Sequence, residues 1–140
     1  PGNIVYTFVN AVQRAFEAHA KVRLGRAQEG IAQLSAIREF LESELRRDPT
    51  SYRVQMDICA VASRQARGFA AWSSETETPL EARRERLAGA EAHLFRAESL
   101  FATMKPRPHG MVLLSLEFAR EDVAAAKAEL EAEGGVSLKP

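Results

Sequence analysis

An all-α fold of five antiparallel helices, arranged as stacked helical hairpins, is what this sequence predicts, on three observations. Apolar residues recur at three- and four-residue spacing along five long stretches, the period of an amphipathic helix. Glycine and proline punctuate the chain between those stretches, at Gly25, Pro49, Pro79, Pro106 and Pro108. No segment shows the two-residue alternation or the turn pairs of a sheet. A closed four- or five-helix bundle is the alternative packing of the same helices.

Pro1-Gly2-Asn3 reads as a loop with Asn3 as N-cap. Ile4, Phe8, Val12 (or Ala11), Ala15, Ala18 or His19, and Val22 follow as one stripe, widened by Val5, Val9 and Phe16. The first helix therefore spans about residues 3–24. Gly25 ends it, because glycine enters the left-handed C′ conformation with no Cβ penalty.

Ile31, Leu34, Ile37, Leu41 and Leu45 make the stripe of the second helix, which Arg46 and Arg47 close. Cations suit the negative end of the helix dipole. Pro49 then disfavours helical geometry at Asp48 and stops the element. Thr50 or Ser51 caps the third helix, whose buried face is read as Tyr52, Val54, Ile58, Val61, Ala62, Ala66, Phe69 and Ala70. Gly68 within it costs about 1 kcal/mol relative to alanine.

Ser73 to Thr78 is a polar loop. Thr78-Pro79-Leu80-Glu81 opens the fourth helix, with threonine as cap, proline at N1 and glutamate completing a capping box. Its stripe is Leu87, Ala90 (or Glu91), Leu94, Ala97, Phe101 and Met104. The fifth helix takes Met111, Leu114, Phe118 and Ala125, with Val112, Ala119, Val123 and Leu130 beside them. Gly134-Gly135 ends it, so residues 1–135 form one helical domain and 136–140 a tail. The way the chain opens reads as a fragment of a longer protein.

Composition narrows the function. With 46% hydrophobic and 27% charged residues the chain is ordinary globular material, not a disordered segment. A formal net charge of zero gives no reason to expect nucleic acid or a membrane surface as partner. The single cysteine, Cys59, lies in an apolar helical run and is expected to be a buried, inert thiol. No apolar run approaches a membrane span and no signal-peptide pattern opens the chain, so a reducing, cytoplasmic setting is the expectation.

No motif carries catalytic chemistry, and neither enzyme activity nor a cofactor is expected. His19, His93 and His109 stand outside any metal-binding His/Glu spacing. Phosphate-cradling glycine motifs and activated nucleophiles are missing from the sequence. The run Glu81 to Arg86 interleaves both signs and reads as a solvated helix face.

Pro1-Gly2-Asn3 and Pro49-Thr50-Ser51 precede helices 48 residues apart, and Pro108-His109-Gly110 does so 59 residues further on. Leu24-Gly25-Arg26 followed by Gln28-Glu29-Gly30-Ile31-Ala32-Gln33-Leu34, then Asp48-Pro49, resembles the turn, B helix and closing proline of the tetratricopeptide-repeat family. The units here are longer than that family's period of about 34 residues, as in a long-helix relative. The resemblance implies a stacked array in which the odd-numbered helices line a binding face. Asparagine and basic residues at comparable helix-A positions of that family often hold an extended peptide. The corresponding candidates are Asn10 and Arg14 on the first helix, Arg53, Asp57 and Arg64 on the third, and Arg120 and Lys127 on the fifth.

A protein-interaction scaffold for a peptide or partner domain, acidic in character, is therefore the leading functional expectation. A regulatory or oligomerising helical bundle, associating through exposed end helices, is the alternative. The purified protein is expected to carry no stoichiometric metal and to keep its helicity in chelator. One tightly bound ion per chain in metal analysis would reveal a site that this sequence does not display.

Overall fold

The computed structural model describes the backbone of residues 4–134 and the side chains of residues 10–134. It contains five helices: α1 (Ile4–Arg23), α2 (Ala27–Arg47), α3 (Tyr52–Ser73), α4 (Leu80–Thr103) and α5 (Met111–Gly134). Among the described residues there is no strand, and no helix is long and apolar enough to cross a membrane. Asn3 and the tail lie outside the described residues.

The breaks fall at the punctuating residues for the expected reasons. Gly25 has φ +87°, its amide donates to the Val22 carbonyl, and the Arg26 amide donates to the Lys21 carbonyl. That pair of bonds closes a helix C-terminus in a Schellman motif. Ser51 caps α3, its hydroxyl accepting from the Val54 amide at 3.3 Å. One cap differs. Pro79, not Thr78, occupies the N-cap of α4 and no side chain caps that end. The Thr78 hydroxyl instead accepts from Arg86 at 3.3 Å.

Successive helices run antiparallel, as their cross-links show. Lys21 reaches Glu29 across the α1–α2 turn. Arg83 donates to the Ser73 carbonyl at one end of α3–α4, and Cys59 Sγ lies 3.5 Å from the Ala97 carbonyl further along. On α4–α5, Glu98, Glu91 and Arg83 meet Arg120, Lys127 and Glu133 in reversed order. Among the described residues each helix packs backbone to backbone only against helices one or two places away in the chain. Thus α1, α3 and α5 form one layer, α2 and α4 the other, and the first helix does not close on the last.

The helix α3 touches all four others, and its residues are small accordingly. Ala62, Ala66 and Ala70 are buried on it, as are Ile58, Val61 and Cys59. Its buried hydroxyls are satisfied within the helix: Ser63 donates to the Cys59 carbonyl and Ser73 to the Ala70 carbonyl. Side-chain hydroxyls bonding back one turn cost little desolvation. Leu34 and Leu41 of α2 and Leu116 of α5 complete the core with no exposed surface.

The face of α5 is rotated from expectation. Ser115, Leu116, Ala119, Val123, Ala126 and Leu130 are buried, while Met111, Leu114 and Phe118 are 61%, 43% and 41% exposed. Small residues permit close approach to α3, and the bulkier stripe is left at the edge. The run Glu81 to Arg86 is likewise no simple solvated face. Arg83 is buried under Glu129 and Glu133 of α5, and Arg86 stacks on Trp72 at 3.9 Å.

Two helix glycines differ in kind. A Cβ at Gly30 would strike the Ala18 carbonyl oxygen and lie 2.7 Å from Val22 Cγ2, whereas one at Gly68 would meet only ordinary contacts beyond 3.5 Å. Gly68→Ala is expected to stabilise by up to about 1 kcal/mol through helix propensity. Gly30→Ala is expected to destabilise by about 1–3 kcal/mol through overpacking. Urea denaturation of the two variants tests both signs.

Candidate functional site

A groove runs over α3 between the walls of α1 and α5. Its wider part, about 460 Å³, is lined by His19 and Arg23 of α1, Arg67 of α3, and Asp122 and Glu129 of α5. A smaller apolar pocket of about 100 Å³ continues it, walled by Phe16, Met111 and Val112 with Asp57 and Arg64 below. The helical period of α3 places these residues in line. Asp57, Arg64 and Arg67 lie seven and three apart, on one side of a helix whose other sides are in the core.

Arg64 joins the two parts. Its guanidinium stacks on Phe16 at 3.7 Å, and Nη1 lies 3.1 Å from His19 Nδ1. Arginine has no acceptor atom, so Nδ1 accepts and the His19 ring proton sits on Nε2. His19 is buried, and burial, with Arg67, Arg64 and Arg23 nearby, lowers its pKa to about 4. Burial also lowers Arg64 to about 10, with Arg67 adding repulsion. Arg67 donates to Asp122 at 2.7 Å and faces the Phe118 ring at 5.1 Å. Arg67 thus has a carboxylate. Arg64 has none among the described residues.

The candidates from sequence divide. Arg64 and Asp57 stand together in the groove, and Arg53, at the exposed start of α3, reaches Asp57 at 3.4 Å. Asp57 is buried, which raises its pKa to about 6 against the opposing pull of Arg53. Arg14 lies elsewhere, in a cleft between α1 and α2 with Glu17, Gln33 and Ile37. Asn10 is half-buried on α1. Arg120 and Lys127 do share a side of α5, but that side is turned to α4, where they pair with Glu98 and Glu91. The rotation of α5 that exposes Met111 and Phe118 carries both cations out of the groove.

Sequence reasoning missed His19, Arg67, Asp122 and Phe16 as groove residues. The spacing of Arg64 and Arg67 on an alanine-rich helix was the available signal. Their meeting with Asp122 depends on how α5 is rotated, which no local pattern encodes.

A second arginine–histidine cluster lies on the opposite layer. Arg38 of α2 donates to Glu42, to Gln65 of α3, and to His93 Nδ1 of α4, at 2.8, 2.7 and 3.1 Å. Arg96 of α4 grips Glu42 with two bonds, at 3.0 and 2.7 Å. Phe69 packs on the His93 ring at 5.0 Å, and burial with the adjacent Arg38 lowers the His93 pKa to about 4. Arg38 and Arg96 share the Glu42 carboxylate, and Glu39 and Arg46 line the cleft beside them. Burial also pushes the Cys59 thiol up to about 11, so it stays protonated. Among the described residues no three His, Cys, Asp or Glu side chains gather to hold a metal.

The buried histidines make stability depend on pH. Each is held neutral in the fold at about 4, against an ordinary 6.5, so the unfolded chain takes up protons first. Their contribution is present above pH 6.5 and is lost as pH falls toward 4. Asp57 acts in the opposite sense: its protonated form is favoured, and that contribution is lost as pH rises through about 6. Two histidines outweigh one aspartate, so the melting temperature is expected to fall between pH 7 and pH 4.5. Asp57→Asn, which removes the offset, is expected to raise stability at pH 7 and steepen the fall. Melting curves across that range check both.

Compared with known protein families, curated proteins and solved structures, the chain matches none.

Proposed function

We propose that this protein is an interaction scaffold, not an enzyme, which binds an acidic segment of a partner protein along the α1–α3–α5 groove. The observation that carries the reading is Arg64, a half-buried guanidinium at the groove floor with no carboxylate of its own among the described residues. A cation fixed by an aromatic face and set between helices is pre-organised for an anion supplied from outside. The open order of helix contacts supports a tetratricopeptide-like array, whose odd-numbered helices would present this layer. Near-neutral overall charge and a lone buried thiol accord with a protein partner in a reducing, cytoplasmic setting.

Self-association is the second reading. The strip Met111, Leu114 and Phe118 on α5, with Phe95 of α4 72% exposed, favours it. Sedimentation over a range of protein concentrations separates the two.

The scaffold reading is tested with labelled glutamate-rich peptides titrated against the protein at two salt concentrations. Arg64→Ala is expected to weaken binding tenfold or more, the effect of losing roughly 1.5–3 kcal/mol of charge-assisted bonding. Arg14→Ala, in the other cleft, should leave it unchanged. Equal binding by all three proteins would overturn the reading.

A further inference from the structure

The groove carries more guanidinium donors than its own carboxylates use. Arg23, Arg64 and Arg67 all act on the buried His19 ring, and among the described residues Asp122 is the only carboxylate paired within that group. Of the other acids at the groove, Glu75 is occupied by Arg86 and Asp57 by Arg53, while Glu129 shares Arg83 with Glu133. His19 itself is neutral. One guanidinium charge remains in excess, with Arg67 lining the cavity of about 460 Å³ and Arg64 the apolar pocket beside it.

Donor capacity points the same way. Arg64 and Arg67 each have five N–H donors, and within the protein each uses one, toward His19 and Asp122. Both are clamped against rings, Arg64 on Phe16 and Arg67 on Phe118. Stacking fixes the plane of a guanidinium while leaving its edge free to donate. A phosphoryl group brings three acceptor oxygens, a fuller match to these donors than the two oxygens of a carboxylate.

We propose that the groove seats a phosphorylated side chain of a partner segment, held by Arg64 and Arg67 with Arg23 at the rim. This rests on the scaffold reading and narrows its ligand. The apolar pocket beside Arg64, walled by Phe16, Met111 and Val112, adds a place for a hydrophobic side chain next to the phosphoryl group. That continuity favours a peptide over free phosphate.

The test titrates the full chain with three synthetic peptides identical but for one position beside a leucine: phosphoserine, glutamate or serine. Inorganic phosphate alone is a fourth ligand. The phosphoserine peptide is expected to bind at least tenfold tighter than the glutamate peptide and than free phosphate. Arg64→Ala should remove that preference with helicity intact by circular dichroism. Should that variant not fold, Arg23→Ala at the exposed rim should still reduce the preference severalfold. Asp122→Asn, which removes the competing carboxylate, should tighten the phosphoserine peptide, a gain that no merely structural role predicts. Glutamate and phosphoserine binding equally would overturn the phosphoryl assignment and leave the acidic-partner reading standing. Free phosphate binding as tightly as the peptide would overturn the assignment to a partner segment. If neither anionic peptide exceeds serine, both readings fall.

Discussion

The close packing of α3 against four neighbours is the constraint on which the rest of the structure depends. A helix surrounded in this way has little room for large side chains, and α3 meets the condition with alanine, glycine and serine recurring from Ala60 to Ser73. Gly30 of α2, set against the Ala18 carbonyl of α1, obeys the same rule at the adjoining crossing. Dense interiors tolerate little excess volume. The bulk that α3 does not carry is supplied from outside by Leu34, Leu41, Leu87, Leu100 and Leu116. Its polar residues are then confined to the two seams where neighbouring helices part.

Those seams solve one problem twice. On one layer Arg64 meets His19, and on the other Arg38 meets His93, each arginine donating to Nδ1 at 3.1 Å. A neutral imidazole lets a guanidinium be partly buried without a second charge close by. The two pairs differ in what surrounds them. Arg38 is also answered by Glu42 and Gln65, which makes its cluster structural. Arg64 has only a ring beneath it.

The five helices and their breaks were legible because each depends on local chemistry: Gly25 at a left-handed position, Ser51 as a cap, prolines where helices cannot continue. The α4 cap was misread since Arg86 takes the Thr78 hydroxyl that would have served it. Amphipathic stripes located the buried faces of α2 to α4, and that of α1 from Ala11 onward, to within a residue or two. They failed on α5, where alanines fill the buried side and size alone misled. That failure spread to the site. Asp57 and Arg64 follow from the period of α3, while Arg120 and Lys127 were lost with the rotation of α5. His19 and Asp122 become site residues only through tertiary contact.

Glu42 has a mechanical meaning as well. The helices α2 and α4 make no backbone contact, yet this one carboxylate is held by Arg38 from the first and Arg96 from the second. It acts as a tie across the back of the array. The two helices of that layer are thus joined on the side of α3 opposite the groove, by residues that no ligand in the groove would touch.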